Sequence, residues 1–376
     1  MTAASPRAHA THERIEALDG VRGIAILLVL VMHSLYIAPL LGIDLGHPLA
    51  RLAMLGWCGV DVFFVLSGFL ITGILVRSKG SPHYFKNFYA RRVLRIFPLY
   101  YLVIALLLWV LPRPPASPPE QVSYLLYYQN IRFALWPEAV FDPARLITWS
   151  LAIEEQFYLV WPALVWCLPR RALAPTCVAV IATAITLRFV LLGQGLSGTH
   201  FLLPCRMDAL AAGALLAIVP PPGRRLGGLF ALLGAAGLIA VAWASGVSVP
   251  EAFAQQRWGL LCAVSLGTGL LVLARSSVRC ANALSARWLR SFGKYSYCIY
   301  LTHFLVIEAV TRYGGALLPG EAGRWLREHV LAELLLVAFT GLCMAASWGV
   351  GWLSWQLFEQ HFLAMKRFFP SASAAP

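Results

Sequence analysis

The chain has 376 residues, of which 59% are hydrophobic and 12% are charged, and its mean hydropathy is +0.71. Soluble domains carry about twice that charged fraction, so the composition excludes an ordinary soluble protein. The net charge of +13 comes from 30 Lys and Arg against 17 Asp and Glu. In a membrane protein such an excess collects in cytoplasmic loops, so it requires no nucleic acid partner.

Ten apolar segments follow one another along the chain, and their lengths are typical of membrane-spanning helices. They cover residues 24–43, 59–76, 96–111, 146–168, 175–193, 201–219, 227–246, 258–274, 296–311 and 330–358. We therefore predict an all-α fold, a polytopic membrane helical bundle with about ten transmembrane helices.

The segment 121–135 is an eleventh candidate, but it is short, aromatic and interrupted by Gln129, Asn130 and Arg132. If it does not cross, most basic loop residues lie on the side of the N-terminus, as expected for the cytoplasmic side. We therefore predict that both termini are cytoplasmic and that residues 112–145 form an external loop or a re-entrant segment. The predicted parts are a cytoplasmic N-terminal segment 1–23, a transmembrane domain 24–362 and a cytoplasmic tail 363–376.

Ionisable residues inside a span are costly to bury and are therefore candidates for a functional site. His33 lies near the middle of the first predicted span, and a buried imidazole beside a carboxylate suits general-base chemistry. Arg22 is eleven positions earlier, which places it about 20° from the same helix face and about 16 Å away. Asp19 falls near the same stripe, where it could pair with Arg22.

Later spans contain further ionisable residues. Glu154 and Glu155 lie near the middle of the fourth span and about 100° apart on a helix, so we expect that they do not both face one cavity. His303 lies in the middle of the ninth span, and Arg206 and Asp208 lie in the outer half of the sixth. These positions predict a polar site at membrane depth.

Structural alternatives remain open for several of these residues. His303 could be a hydrogen-bonded core residue, and the two glutamates could form an ion pair with Arg206 or Arg188 inside the bundle. Asp61, near the end of the second span, could be an interfacial anchor. His200 falls in a loop and gives no functional signal.

A basic and aromatic segment, YFKNFYARRVLRIFPLYY, follows the second span. Arg92 and Arg95 are three residues apart, so on a helix both guanidinium groups can meet one phosphate-rich ligand, and Arg91 is adjacent to them. The alternative is a juxtamembrane patch that contacts anionic lipid.

The chain resembles the acyltransferase-3 family of integral membrane acyltransferases in six ordered segments. They are LDGVRGIAILLVLVMH (Leu18–His33), GVDVFFVLSGFLIT (Gly59–Thr72), FYARRVLRIFPLYY (Phe88–Tyr101), WSLAIEEQFYLVWP (Trp149–Pro162), RMDALAAGALLA (Arg206–Ala217) and YSYCIYLTHFLV (Tyr295–Val306). The closing WQLFEQHF is also similar to the end of that family's last helix, although His361 replaces the proline usual after the glutamate.

This resemblance implies transfer of an acyl group, commonly acetyl, from a coenzyme A thioester to a hydroxyl. The implied acceptor is a carbohydrate, such as a cell-surface polysaccharide, the O-antigen of lipopolysaccharide, a glycolipid or an exported oligosaccharide. A secondary metabolite of the macrolide type is also compatible. Acetyl-CoA would be the donor substrate, with no bound cofactor and no metal. The remaining expected partners are membrane lipids, with no nucleic acid, and the expected location is the bacterial inner membrane.

The resemblance also implies roles for matched residues. His33, with Arg22 in an R-x10-H pattern, would be catalytic, as would the acids Glu154 and Glu155. Our hypothesis is that His33 acts as a general base and that a glutamate orients its imidazole, with an acyl-histidine intermediate as the variant. The predicted donor-binding residues are Arg91, Arg92 and Arg95. The predicted substrate-binding residues are Asp19, Ser67, Arg206, Asp208 and His303.

Two other classes of protein remain as alternatives. A polytopic transporter of a polar or acylated solute fits the composition, although no inverted repeat or pair of broken helices is evident. A non-catalytic membrane protein that binds anionic lipid would leave the buried His33 without a role. If the chain is a transferase, we expect the loops 112–145, 194–200 and 312–329 to select the acceptor.

Overall fold

The computed structural model describes residues 6–35, 48–136, 142–246, 248–249, 252–317 and 332–370. Regular secondary structure within these ranges is entirely helical, without a β-strand. The all-α prediction is therefore confirmed.

Sixteen α-helices are defined in the described ranges. In chain order they are α1 (Pro6–Ser34), α2 (Pro48–Met54), α3 (Cys58–Ser78), α4 (Tyr84–Ala105), α5 (Pro118–Leu125), α6 (Gln129–Leu135), α7 (Pro143–Leu146), α8 (Trp149–Cys167), α9 (Arg170–Gly193), α10 (Leu203–Ile218), α11 (Arg224–Ser245), α12 (Leu260–Ser276), α13 (Val278–Leu284), α14 (Arg287–Leu317), α15 (Ala332–Ser354) and α16 (Gln360–Ala364). Short 3-10 turns lie at Leu55–Trp57, Thr199–Phe201 and Met365–Phe368, and π-helical turns at Leu106–Val110, Gln255–Gly259 and Trp355–Glu359.

Several helix ends follow from local sequence. The α5 helix begins with prolines, whose fixed φ suits the first turn of a helix. The side chain of Ser277 caps α13 by accepting a hydrogen bond from the backbone amide of Cys280. Gly246 ends α11 in the left-handed conformation, with φ of 72°, which glycine adopts without a Cβ clash.

Seven helical segments in the described ranges are long and apolar enough to cross a membrane. They are Glu16–Ser34, Ala50–Ser78, Tyr84–Val110, Arg170–Gly193, Arg224–Ser245, Gln255–Ser276 and Leu334–Phe368. The other three predicted spans coincide with α8, α10 and α14. Of these, α10 has 16 residues and is about 24 Å long, shorter than a hydrocarbon core of about 30 Å, while α8 and α14 carry several polar residues. A polytopic bundle is confirmed, and the number ten stays a prediction.

The first helix is longer than the predicted apolar segment at its N-terminal end and ends within that segment. It begins at Pro6, so the predicted boundary between residues 23 and 24 lies inside a continuous helix, whose apolar part starts at Glu16. It ends at Ser34, so His33 lies in its last turn and not in the middle of a longer helix. Residues 36–43 of the predicted span lie outside the described residues.

The C-terminal helices extend into the predicted cytoplasmic tail. Helical structure continues to Phe368, past the predicted start of the tail at residue 363, and residues 371–376 lie outside the described residues. Residues 318–331, which include most of the predicted 312–329 loop and the first two residues of the last predicted span, also lie outside them.

The segment between α4 and α8 forms three short helices, α5, α6 and α7. With at most eight residues each, none is longer than about 12 Å, too short to cross a membrane. Asp142 holds the segment together, because it accepts hydrogen bonds from Arg113 (2.7 Å) and Arg145 (2.9 Å). Arg113 also pairs with Glu308, which attaches the segment to α14. Residues 137–141 lie outside the described residues.

The centre of the bundle is formed by α1, α3, α10 and α14. The α1 helix packs on α14 and α3, and α3 packs on α10 and α12. Close approach of α3 and α10 requires glycine, because a Cβ on Gly68 would collide with the carbonyl oxygen of Leu210, and one on Gly213 with that of Val65. The α9 and α11 helices lie at the edge, where exposed apolar side chains such as Leu232 suit contact with lipid.

Candidate active site

Two adjoining cavities lie between the central helices. The basic cavity lies among α1, α3, α4, α8 and α14, and its polar lining includes Arg22, Ser67, Arg92, Arg95, Glu154 and Tyr158. The histidine cavity lies on the other side of Val60 and Tyr300, and its lining includes His33, Asp61, Trp149, His200 and Arg206. Most of the predicted site residues therefore line one of two chambers.

Three guanidinium groups meet in the basic cavity. Arg92 and Arg95 face it from α4, and Arg22 faces it from α1. The guanidinium of Arg92 lies 5.9 Å from the ring centres of Phe88 and Tyr158, and its Nε has no hydrogen-bond partner among the described residues. These groups therefore retain the capacity to bind a ligand rich in phosphate.

Asp19 and Arg91 support the basic cavity from outside its lining. Asp19 Oδ1 pairs with Arg22 at 2.8 Å, so Asp19 holds the arginine side chain in place. Arg91 donates hydrogen bonds to the backbone oxygens of Phe369 (2.9 Å) and Lys366 (3.3 Å). Arg91 therefore attaches the C-terminal segment to α4, although the sequence placed it with the donor-binding residues.

The two glutamates of α8 have different surroundings. Glu154 lines the basic cavity, beside Ser67 and Tyr158, whose hydroxyls are 2.6 Å apart. Glu155 is not part of the lining of either cavity. The structural alternative for these acids was an ion pair with Arg188 or Arg206. Among the described residues, Arg188 pairs instead with Asp208, and Arg206 pairs with Asp61.

A buried ion pair forms one wall of the histidine cavity. Arg206 Nη2 lies 2.8 Å from Asp61 Oδ1, and both side chains are almost completely buried. The same guanidinium lies 5.9 Å from the ring centre of Trp149. Asp61 Oδ2 and Arg206 Nη1 have no hydrogen-bond partner among the described residues. Arg206 Nε also has no partner among the described residues, so the pair retains one unpaired acceptor and two unpaired donors.

Asp208 does not line either cavity, although the sequence predicted that it contacts the substrate. Its Oδ2 pairs with Arg188 Nη1 at 2.7 Å, and that nitrogen also donates to the backbone oxygen of Cys205. The pair is buried between α9 and α10, and Asp208 lies two residues after Arg206, which does line the histidine cavity.

His33 and His303 contact each other through their ring nitrogens. His303 Nε2 lies 2.8 Å from His33 Nδ1, and the ring planes are inclined by 23°. His303 is fully buried and lies outside the lining of both cavities, so it is behind His33 as seen from the histidine cavity. The group that meets His33 Nδ1 is therefore an imidazole, where the sequence analysis expected a glutamate.

Tyr300 lies at the junction of the two cavities, a position that the sequence does not indicate. It lines both chambers together with Val60. Its hydroxyl lies 2.7 Å from Ser150 Oγ and donates to the backbone oxygen of Ile147 at 3.0 Å, which fixes the phenol against α8. The composition of the YSYCIYLTHFLV segment offers no signal for this position, because three tyrosines occur in six residues.

His200 and Asp61 are two further residues whose roles the sequence did not indicate. His200, in the turn before α10, is buried against the cavity, where burial and then the charge of Arg206 lower its pKa to about 3. Asp61 was interpreted as a possible interfacial anchor, but it is fully buried. His200 and Asp61 are distinguished from ordinary loop or interface residues only by their contacts with other helices, which the sequence does not show.

Comparison with known proteins identifies the family to which this chain belongs. A family model described as "Acyltransferase domain" matches residues 15–355, which is most of the chain. The chain belongs to this acyltransferase family. The protein is therefore a multi-pass membrane acyltransferase, which is evidence against the transporter and the non-catalytic alternatives.

The acyltransferase is similar to several bacterial proteins. It is 30% identical over 328 residues to a Bacillus subtilis (strain 168) protein provisionally named peptidoglycan O-acetyltransferase YrhL, covering 80% of this chain and 50% of that protein. It is 29% identical over 326 residues to peptidoglycan O-acetyltransferase OatA of Listeria monocytogenes, covering 79% and 50%. It is 29% identical over 354 residues to acyltransferase MdmB of Streptomyces mycarofaciens, covering 88% of each.

The acyltransferase thus spans about half the length of the first two relatives and most of the length of the third. No solved structure matches it.

Proposed function

We propose that this acyltransferase transfers an acetyl group from acetyl-CoA to a hydroxyl of a cell-envelope carbohydrate, in the inner membrane of a bacterium. The observation that carries the proposal is the meeting of two unlike chambers at Tyr300 and Val60. One chamber presents three arginines, and the other presents His33. A donor with an anionic end and a reactive thioester end needs this arrangement.

The charges and the apolar lining of the basic cavity support coenzyme A as the donor. Arg92 and Arg95 would bind its phosphates from α4, because a guanidinium forms paired, charge-assisted hydrogen bonds with phosphate oxygens. The apolar side chains of Leu70, Ile71 and Ile96 line the same cavity and would contact the uncharged pantetheine arm. The thioester would then lie toward Tyr300 and Val60, at the boundary with the histidine cavity.

The acceptor would bind in the histidine cavity. A sugar hydroxyl both donates and accepts hydrogen bonds, and Asp61 Oδ2 and Arg206 Nη1 supply the complementary groups. Trp149 adds an aromatic wall. Two of the similar proteins are named for peptidoglycan, so peptidoglycan fragments are the first acceptors to test.

In the proposed reaction, His33 is the general base. The acceptor oxygen attacks the thioester carbonyl carbon while His33 takes the hydroxyl proton, and a new C–O bond forms. The C–S bond then breaks, and the thiolate of coenzyme A receives the proton from the imidazolium. The products are the O-acetylated acceptor and coenzyme A with its free thiol, so protons and electrons balance.

The test is acetyl-CoA turnover by the purified protein in detergent, measured as free thiol, with and without peptidoglycan fragments. His33→Ala should abolish acceptor-dependent thiol release. His83→Ala is the matched control, because His83 is exposed at the start of α4 and lines neither cavity. Full turnover by the folded His33→Ala variant would contradict the role of His33, and wild-type protein that binds no acetyl-CoA would contradict the proposed donor.

A further inference from the structure

The position of the proton on His303 follows from its backbone contacts. His303 Nδ1 lies 2.7 Å from the backbone oxygen of Tyr300 and 3.1 Å from that of Ile299. A carbonyl oxygen only accepts hydrogen bonds, so Nδ1 must be the nitrogen that carries hydrogen. The α14 backbone supplies both acceptors, because they are the residues three and four positions before His303.

The charge on His303 follows from its other partner. The ring is fully buried, and its hydrogen-bond partners in the described part of the chain are two carbonyls and His33, with no carboxylate among them. A buried charge without an acidic partner is costly. The neutral ring has its lone pair on Nε2, the atom 2.8 Å from His33 Nδ1. His33 Nδ1 is then the donor.

From this chain of contacts we propose that His303 is a positioning residue that holds His33 as the Nδ1–H tautomer. The lone pair of neutral His33 is consequently on Nε2, and Nε2 is the atom that takes the proton of the acceptor. The inference rests on the proposed role of His33 as general base. It replaces the orienting glutamate of the sequence-based hypothesis with a neutral acceptor.

The His33–His303 pair keeps its hydrogen bonds through the reaction. When His33 Nε2 takes the acceptor's proton, His33 becomes an imidazolium whose Nδ1–H still donates to His303 Nε2. The Nδ1–H of His303 stays on the Tyr300 carbonyl, so no proton has to leave the pair. A neutral orienting group also adds no buried negative charge beside His33, a charge that would be costly in an apolar bundle while His33 is neutral.

Three substitutions separate positioning from simple packing. His303→Gln places a side-chain carbonyl near the position of Nε2, where it can accept from His33. His303→Asn has a shorter side chain whose amide lies near Nδ1 and does not reach His33. His303→Leu fills the space without any acceptor. The comparison of His303→Gln with His303→Asn is the most informative, since both side chains are amides and they differ mainly in length.

The expected result is an ordered loss of kcat. His303→Leu and His303→Asn should lower kcat about 100-fold or more, the usual contribution of a positioned base, while the KM for acetyl-CoA stays within about threefold of wild type. His303→Gln should restore kcat to within about tenfold of wild type. Equal kcat values for the folded Gln and Asn variants would overturn the inference.

A spectroscopic measurement tests the tautomer without using activity. In protein with ¹⁵N-labelled histidine, the His33 signals are identified by their loss in His33→Ala. We expect Nδ1 to be the protonated nitrogen of His33 in the wild type, and the protonated form of Nε2 to gain population in His303→Leu. Protonated Nε2 and bare Nδ1 in the wild type at neutral pH would overturn the inference.

The two proposals fail in distinguishable ways. If His33→Ala is inactive but His303→Leu keeps the wild-type kcat, the positioning role of His303 is wrong and the proposed function stands. If His33→Ala is fully active, the proposed base is wrong whatever the tautomer of His33.

Discussion

Arg206 Nη2 on α10 lies 2.8 Å from Asp61 Oδ1 on α3, and both side chains are at most 2% exposed. The pair joins two helices that approach each other through glycine, and it forms a wall of the cavity that contains His33. A buried pair in this position has consequences for folding as well as for binding.

Removal of one partner should destabilise the bundle more than removal of both. Asp61→Ala leaves a buried guanidinium without its counter-charge, which costs about 3–5 kcal/mol. The double variant Asp61→Ala with Arg206→Met removes both charges, so it should unfold at a higher temperature than Asp61→Ala. Thermal unfolding in detergent measures both.

A pair with one exposed partner provides the control for this experiment. Glu308 pairs with Arg113, but its side chain is 46% exposed, so Glu308→Gln should cost less than about 1 kcal/mol. A double variant that is as unstable as the sum of its single variants would show that Asp61 and Arg206 do not act as a pair.

Substitution in the basic cavity should weaken donor binding selectively. Arg92→Gln combined with Arg95→Gln removes two guanidinium groups that line the cavity, and each charge-assisted bond contributes about 1.5–3 kcal/mol. The KM for acetyl-CoA should therefore rise about 100-fold or more, with a smaller change in kcat. Steady-state kinetics at varied donor concentration measure the two parameters separately.

Arg91→Gln is the matched control for the donor site. Arg91 is adjacent in sequence but donates to the C-terminal backbone, so its KM for acetyl-CoA should stay within about threefold of wild type. If neither the Arg92→Gln, Arg95→Gln double variant nor Arg91→Gln changed the KM for acetyl-CoA, the basic segment would instead be a surface for anionic lipid.

The close contact between α3 and α10 should not tolerate a methyl group. A Cβ on Gly68 would meet the carbonyl oxygen of Leu210, and backbone atoms cannot move aside as a flexible side chain can. Gly68→Ala should therefore lose about 1–3 kcal/mol of stability, and Gly213→Ala should behave similarly. Thermal unfolding and the yield of monodisperse protein in detergent report the loss.

A second glycine, outside this contact, is the control for the loss of stability expected of Gly68→Ala. Gly228, in α11, has open space where a Cβ would be, and alanine favours a helix over glycine. Gly228→Ala should be as stable as wild type or slightly more so. Equal behaviour of the Gly68 and Gly228 variants would show that the contact does not limit stability.

His200 should make stability depend on pH. Its pKa is lowered from 6.5 to about 3 in the folded protein, mainly by burial. Below pH 6.5 the unfolded chain binds a proton that the folded protein does not, so this contribution is present above pH 6.5 and is lost as the pH falls. Between pH 7.5 and pH 5 the wild type should lose about 2 kcal/mol from this residue.

The variant His200→Gln tests this contribution, because it cannot be protonated in this range. Its unfolding temperature should fall less than that of the wild type between pH 7.5 and pH 5. Identical pH profiles of the two proteins would show that the His200 proton does not govern stability in this range.

The sequence by itself determined the class of fold and the helices that carry the site. Apolar segments of about 20 residues have few structures available in a membrane, because every backbone polar group must be satisfied within the segment or by neighbours. Burial of ionisable residues is costly, so His33, Glu154 and Arg206 could be identified as unusual from their positions alone. Helical spacing also placed Arg92 and Arg95 within reach of one ligand.

Tertiary structure decided which of these residues meet. Asp61 and Arg206 are 145 positions apart, and His33 and His303 are 270 positions apart, so no local pattern relates them. The α1 helix begins well before its apolar segment, because hydropathy locates the apolar residues and not the polar residues that extend a helix. Three predicted site residues lie outside the cavity linings, namely Arg91, Asp208 and His303. Their placement depends on how the helices pack and rotate against each other. Close contacts at glycine contribute to that packing.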